Sequence, residues 1–266
     1  MTRKAPKLED VLAELEAIAP PELAAEWDNV GLLVSPPRTR GMVCPRVMLT
    51  IDATPEVVSE ALRQRASLLV GYHPPIFTPL RALDADEPLY GALREAWACG
   101  LAIYSPHTAL DAAPGGLADW IARGVAPKSA ASAIEACGEG GFGRIIRLRE
   151  WTEIGSIARR CKRLFGVRHL GAAFPPRRRA IRTIAVAAGA GASVLRGAGA
   201  DLYVTGEMSH HDALAAVRCG TAVILAGHSN TERGYLPVLR DRLLARFGDG
   251  LLVAISARDK DPLSIL

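Results

Sequence analysis

No two of the five cysteines, at positions 44, 99, 137, 161 and 219, stand in a Cys-x-x-Cys spacing, and their number is odd. A zinc ribbon and a paired disulfide framework are therefore disfavoured, and a reduced, cytoplasmic compartment is expected. The opening residues Met1-Thr2-Arg3-Lys4-Ala5-Pro6 turn at once into an amphipathic stretch, Leu8 to Ile18, without the apolar core of a signal peptide. The uncharged run Thr183 to Leu195 is too short for a bilayer span and rich in Gly and Ala, so no membrane association is expected. Basic residues are scattered, apart from Arg177-Arg178-Arg179 after Pro175-Pro176. That cluster has no interleaved aromatic residues, which fits a solvated turn rather than a nucleic-acid groove.

What is present is an ordinary globular balance: 266 residues with 49% hydrophobic and 23% charged residues and a net charge of +4. That length suffices for one large α/β domain or two small ones. Leu8, Val11, Leu12, Leu15 and Ile18 recur at helical spacing, and Pro20-Pro21 ends that helix. After the turn-forming Asp28-Asn29 pair comes a short apolar run that Ser35-Pro36-Pro37 stops. Val47 to Thr50 reads as a strand, Thr54 as a helix cap with Pro55 at the first helical position, Val57 to Gln64 as the helix, and Ser67 to Val70 as the next strand. These strands are nearly continuous apolar runs, the pattern of a parallel sheet covered on both faces.

A second part of the chain repeats this order. Ile181 to Ala187 is a strand, Gly189-Ala190-Gly191-Ala192-Ser193 a small-residue turn, Val194 opens a helix, and Asp201 to Val204 is the following strand. Helices around Leu89 to Cys99 and His211 to Val217 stop at Gly100 and Gly220. The expected architecture is a single α/β domain over residues 1–266: a sandwich of two related βαβ halves, about 1–125 and 172–266, with the site between them. A structured segment, 126–171, joins the halves and includes a helix over Ile154 to Phe165.

The repeat also carries chemistry. In the first half a strand ends in Gly71-Tyr72-His73-Pro74, and the next strand delivers His107 and, four positions on, Asp111. In the second half a strand ends in Gly206-Glu207, and the next delivers His228 and, four positions on, Glu232. Such residues at strand carboxyl ends occupy the crevice where open α/β sheets bind ligands. A spacing of four puts both side chains on one helical face. Any one of these residues alone is more simply a hydrogen-bonded strand end or a helix cap; their duplicated placement favours a metal. The available set mixes imidazole with carboxylate and lacks thiolate, which suits zinc, iron, manganese or nickel. The Gly189-Ala190-Gly191 turn, a weak phosphate cradle, is more simply tight packing.

Five blocks resemble the signatures of the Nif-three-like family, also described as GTP cyclohydrolase I type 2 homologues. They are Trp27-Asp28-Asn29-Val30-Gly31-Leu32, Gly71 to Phe77, Tyr104 to Ala113, Thr205 to Ala213, and Gly227 to Gly234. The resemblance runs in order along nearly the whole chain and includes the tail Ala257 to Leu263; the chain is similar to the short form, without the inserted domain of longer relatives. It implies a centre of two divalent metal ions in an α/β sandwich and assembly into a homohexamer. His73, Asp111, His228 and Glu232 inherit ligand roles, with Asp111 or Glu232 bridging. Many bacterial members have two adjacent histidines where this chain has Tyr72-His73. The second ion is then expected to bind more weakly, take a water, or use His107, with Tyr72 filling the slot of the missing imidazole. Glu207, His210 and His211 are implied to line the cavity, Glu207 and His211 as proton-transfer groups.

Two functions of different class follow. One is a metal-dependent hydrolase of a nucleotide-like or heterocyclic small molecule, with a GTP cyclohydrolase-like ring opening as one form. The alternative is a metal-binding scaffold or metal-handling interaction protein without catalysis.

Overall fold

The computed structural model describes residues 4–37, 39–82, 84, 86–176 and 180–264. The Arg177-Arg178-Arg179 cluster and the first three residues lie outside them. In chain order the elements are α1 (Leu8–Ile18), β1 (Gly31–Val34), β2 (Arg46–Thr50), α2 (Pro55–Arg63), β3 (Leu68–Gly71), α3 (Pro88–Ala98), β4 (Ala102–Ser105) and α4 (His107–Ala112). There follow α5 (Leu117–Val125), β5 (Ala131–Cys137), β6 (Gly140–Glu153), α6 (Ile154–Phe165), β7 (Gly171–Ala173), β8 (Ala180–Val186), α7 (Ala192–Leu195) and β9 (Leu202–Thr205). The chain closes with α8 (His210–Arg218), β10 (Ala222–Leu225), α9 (Asn230–Arg233), α10 (Leu236–Phe247) and β11 (Leu252–Ile255).

These elements divide into two compact units: residues up to Leu110 together with those from Leu236 onward, and residues Asp111–Tyr235. The first unit holds a five-stranded sheet in the order β1-β4-β3-β2-β11. Its four strands β4, β3, β2 and β11 run parallel, Val47 facing Leu68 and Leu69 facing Ile103, while β1 pairs antiparallel to β4. Helix α2 starts as its residues dictate: the Thr54 side chain accepts from the Val57 amide at 3.4 Å, and Pro55 occupies the first turn, where its missing N–H costs nothing. Val57, Val58 and Ala61 of α2 and Ala92, Leu93 and Ala96 of α3 bury against Met48, Leu69 and Ile103 of the sheet. That burial is the main favourable term for these short strands.

The second unit holds a six-stranded sheet in the order β5-β6-β8-β9-β10-β7. Strands β8, β9 and β10 run parallel, with Ile184 facing Leu202 and Tyr203 facing Val223. The order β4-β3-β2 in one unit matches β10-β9-β8 in the other, so the sequence repeat is a repeat of topology. The flanks differ: the second sheet is extended by a hairpin of β5 and β6, in which Glu135 faces Phe142 and Cys137 faces Gly140. That Ala-, Ser- and Gly-rich segment has little strand propensity of its own. It becomes a strand because β6, itself paired antiparallel with β8, offers it an open edge.

Candidate functional site

In the first unit, parallel neighbours bring the carboxyl ends of β2, β3 and β4 to one edge, where they deliver Asp52, Tyr72-His73 and His107. The Tyr72 and His73 amides donate to Thr50 and Ile51 carbonyls, carrying the ladder one step past the strands. His73 Nδ1 lies 2.9 Å from Asp52 Oδ1, and His107 Nδ1 lies 2.7 Å from Asp28 Oδ1. An ionised carboxylate can only accept, so each Nδ1 carries the proton, and in the neutral ring each Nε2 presents its lone pair. This is the carboxylate–histidine arrangement that fixes a metal-ligating imidazole.

Asp28 is more than a turn residue. Its side chain has no solvent exposure, and it accepts from the Thr108 amide at 3.1 Å and from the Thr108 hydroxyl. Burial opposes its charge, but the hydrogen bonds from His107 and Thr108 outweigh burial and hold the carboxyl below the ordinary aspartate range. His107 sits at a positive φ of 27°, a sparsely allowed backbone for a residue with a side chain. The amide donation to the Tyr72 carbonyl at 3.2 Å and the Asp28 contact hold it there. Tyr72 is buried, and its ring packs edge-on to His73 and His107, with centroids 5.0 and 5.5 Å away. It thus packs against both imidazoles.

In the second unit, β9 delivers Glu207, β10 delivers His228, and the single turn α9 delivers Glu232. His228 Nδ1 lies 2.9 Å from Glu207 Oε1, and His228 Nε2 lies 3.4 Å from Oε1 of Glu232, whose side chain is only 2% exposed. With Nδ1 donating to Glu207, Nε2 donates to Glu232 as an ion pair when the ring is protonated and faces that carboxylate as a second acceptor when the ring is neutral. A cation shared by the two resolves that opposition, and two ligands about 2.1 Å from a tetrahedral ion stand roughly 3.4 Å apart.

Backbone without side chains makes room for this pair. Gly189 has φ +52°, and a Cβ there would lie 2.6 Å from Glu232 Oε1 and 3.0 Å from His228 Nε2. A Cβ on Gly206 would lie 2.8 Å from the His228 Cα. Thr231 ties the parts together: its hydroxyl donates to the His228 carbonyl at 2.7 Å and accepts from the Gly189 amide at 2.9 Å. The Gly189 turn read as a weak phosphate cradle is thus the floor beneath two ligand-type side chains.

The other expected residues fall as follows. Asp111 lies on α4 four residues after His107, half-buried. His210 and His211 begin α8, both exposed, with rings 5.4 Å apart. Among the described residues, the side chain that engages His228 Nδ1 is Glu207. Asp52 went unnoticed in the sequence because Asp52-Ala53-Thr54-Pro55 also spells a helix start. Its place two residues beyond a strand end, level with His73, was the available signal.

The Duf34/NIF3 (NGG1p interacting factor 3) family matches residues 6–262. The chain belongs to the DUF34/NIF3 family. It is 40% identical over 267 aligned residues to the protein NIF3 homolog of Schizosaccharomyces pombe, covering 95% of each chain. It is also 31% identical to human NIF3-like protein 1, covering 97% of this chain and 92% of the relative. The crystal structure of a Bacillus cereus protein related to NIF3 superposes with a TM-score of 0.81 at 20% identity, covering 99% of this chain and 100% of that one, and so shares its fold. Among the described residues, this NIF3 family member has no helix long and apolar enough to cross a membrane.

Proposed function

We propose that this family member binds two divalent metal ions through His73, Asp111, His228 and Glu232, with His107 as a further donor, and hydrolyses a nucleotide-like or heterocyclic small molecule. The observation that carries the reading is the pairing of every ligand-type imidazole with a carboxylate at Nδ1: His73 with Asp52, His107 with Asp28, and His228 with Glu207. Imidazoles held in one tautomer are ready to donate Nε2, and pairing removes the cost of choosing it on binding. His73, His228 and Glu232 supply two imidazoles and a carboxylate, a donor set suited to zinc, iron, manganese or nickel. A divalent ion bound there would supply Lewis acidity for hydrolysis.

The chain's own residues supply the rest. Glu207 holds the proton at His228 Nδ1 and keeps the ring directed at Glu232. Being exposed, Glu207 can also exchange protons with solvent, and His211 at the start of α8 is the second candidate for proton transfer. Self-association into a homohexamer and a cytoplasmic location belong to the same reading.

Metal analysis of protein purified without added metal, on the native chain and on His73→Ala and Glu232→Ala, tests the assignment. Loss of metal in both variants is expected, and unchanged content in both would sink it. Turnover is then sought with metal-loaded protein on nucleotides, phosphoesters and cyclic amides, with Glu207→Gln and His211→Ala expected to be slowed. The family description, NGG1p interacting factor 3, supports a second reading as a metal-binding interaction protein. Full metal content with no turnover on any of these substrates would favour it.

A further inference from the structure

Trp27, at 64% exposure, and Phe77, at 49%, are open to water, as are Trp97, Trp151 and Phe174. Trp27 and Phe77 come from different loops, one before β1 and one after β3, yet their centroids lie 5.8 Å apart at an interplanar angle of 54°. A hydrogen bond from the Asn29 side-chain amide to the Ile76 carbonyl ties those loops together. Both rings also approach His107 edge-on, Trp27 at 6.1 Å and Phe77 at 6.2 Å, and His107 lies 5.4 Å from His73. The result is a tilted pair of π faces, fixed to one another, open to solvent, and bordering two oriented imidazoles.

We infer that Trp27 and Phe77 form a stacking platform for a nitrogen heteroaromatic ring of nucleobase size, whose edge faces His107 and His73. The inference rests on the proposed metal-dependent activity and narrows its substrate. Three observations favour a ring over other occupants. Open aromatic faces cost hydration free energy unless a ligand covers them, and a flat rigid ring stacked on one of them meets the tilted neighbour at an angle and is ordered at small entropic cost. Residues 24–34 and 71–80 contain no Lys or Arg, Arg81 being the next cation in sequence, so these two loop segments themselves offer no cation to a phosphate. The indole face is electron-rich and suits the electron-poor face of a nitrogen heterocycle. Trp27 and Phe77 are then specificity residues that hold the ring and leave the chemistry to others.

The test is calorimetric titration of the full chain, prepared with and without manganese, with adenosine, guanosine, cytidine and uridine, and with ribose as the ring-free control. Metal content and light-scattering mass are recorded on the same samples. At least one nucleoside should bind while ribose does not, and Trp27→Ala and Phe77→Ala should each weaken binding about 5- to 100-fold. Trp27→Phe should keep most of the affinity, and metal content should stay at the native level in all three variants. If metal is bound but no nucleoside binds, or ribose binds equally well, the platform is overturned and the metal reading stands. If nucleosides bind in a Trp27-dependent way to a chain that takes up no metal, the metal reading fails and the platform stands. If the alanine variants change the assembly mass and leave nucleoside affinity unchanged, the rings cover a contact between copies and the proposal is overturned.

Discussion

The two units repeat one topology and solve the placement of histidine differently. In the first, two imidazoles at the ends of β3 and β4 are each held by an aspartate, and a buried tyrosine packs against both rings. In the second, one imidazole at the end of β10 lies between two glutamates, above a backbone made of glycine. After β2 the first unit places Asp52, while at the corresponding place after β8 the second places Gly189. The first unit thus spends side chains on orienting its imidazoles, and the second spends an absence of side chains on fitting a buried carboxylate beside one. Ligand-type residues stand at matching strand ends in the two units, and their supports differ.

That contrast breaks most easily at Gly189. Gly189→Ala puts a methyl group against Glu232 Oε1 at 2.6 Å in a left-handed backbone, so a loss of roughly 2–3 kcal/mol of stability is expected. Thermal unfolding and metal content should both fall. Asp52→Ala in the first unit should leave the fold nearly intact. Equal losses of stability in the two variants would end the distinction between the units.

Next come the orienting carboxylates. Asp52→Asn and Glu207→Gln should each weaken metal binding about 10- to 100-fold, the usual effect of removing the partner that orients a ligating imidazole. Competition with a chromogenic chelator measures this, and an effect below twofold at both positions would count against the carboxylate–histidine reading. Their cost to folding should differ from that of the buried partner. Asp28→Asn leaves polar groups of His107 and Thr108 poorly matched in a buried site and should cost about 1–3 kcal/mol. Glu207→Gln at an exposed position should cost under about 1 kcal/mol. Denaturant unfolding separates the two.

Acid should probe one carboxylate in each unit. Glu60 is buried, but hydrogen bonds from the Ser256 hydroxyl and the Ala257 and Arg258 amides outweigh that burial and lower its pKa. Burial of Asp119 is likewise outweighed, by the Arg144 guanidinium and the Gly115 amide, and its pKa is also lowered. A folded pKa below the unfolded one gives stabilisation that is complete above the unfolded value, near about 4, and is lost as the pH falls through the folded value. The drop in melting temperature from pH 6 to pH 3 should therefore be shallower in Glu60→Gln and Asp119→Asn than in the native chain. The smallest effect is expected where the repeat is plain: Cys99→Ser and Cys219→Ser, both at exposed helix ends before a glycine, should shift stability by less than about 0.5 kcal/mol.

Much of this architecture was legible in the sequence. Helix α1 over Leu8–Ile18 and helix α2 from Pro55 follow directly from apolar periodicity and the Thr54-Pro55 start. The short apolar strands around Leu49, Leu69 and Val204 were equally plain, as were Gly100 and Gly220, which end the helices before β4 and β10. The strand role of Ala131–Cys137 was not, because alanine, serine and glycine carry no period and only the edge of β6 makes that segment a strand. Strand β11 pairs with β2, a contact between residues some two hundred positions apart that no local pattern announces. The same holds at the site. His73, Glu207 and the His107–Asp111 and His228–Glu232 pairs stood out as candidates because strand ends, and acids four residues after a histidine, are local signals. Asp52 and Asp28 as imidazole partners were hidden, since each also reads as a turn or helix start.

The sequence by itself determined the repeated strand and helix segments and the residue types that end those strands, because these depend on neighbours a few positions away. The tertiary structure alone decided which carboxylate meets which imidazole, which ring nitrogen each histidine presents, and why position 189 is glycine. Those outcomes depend on hydrogen-bond geometry and excluded volume between segments distant in the chain.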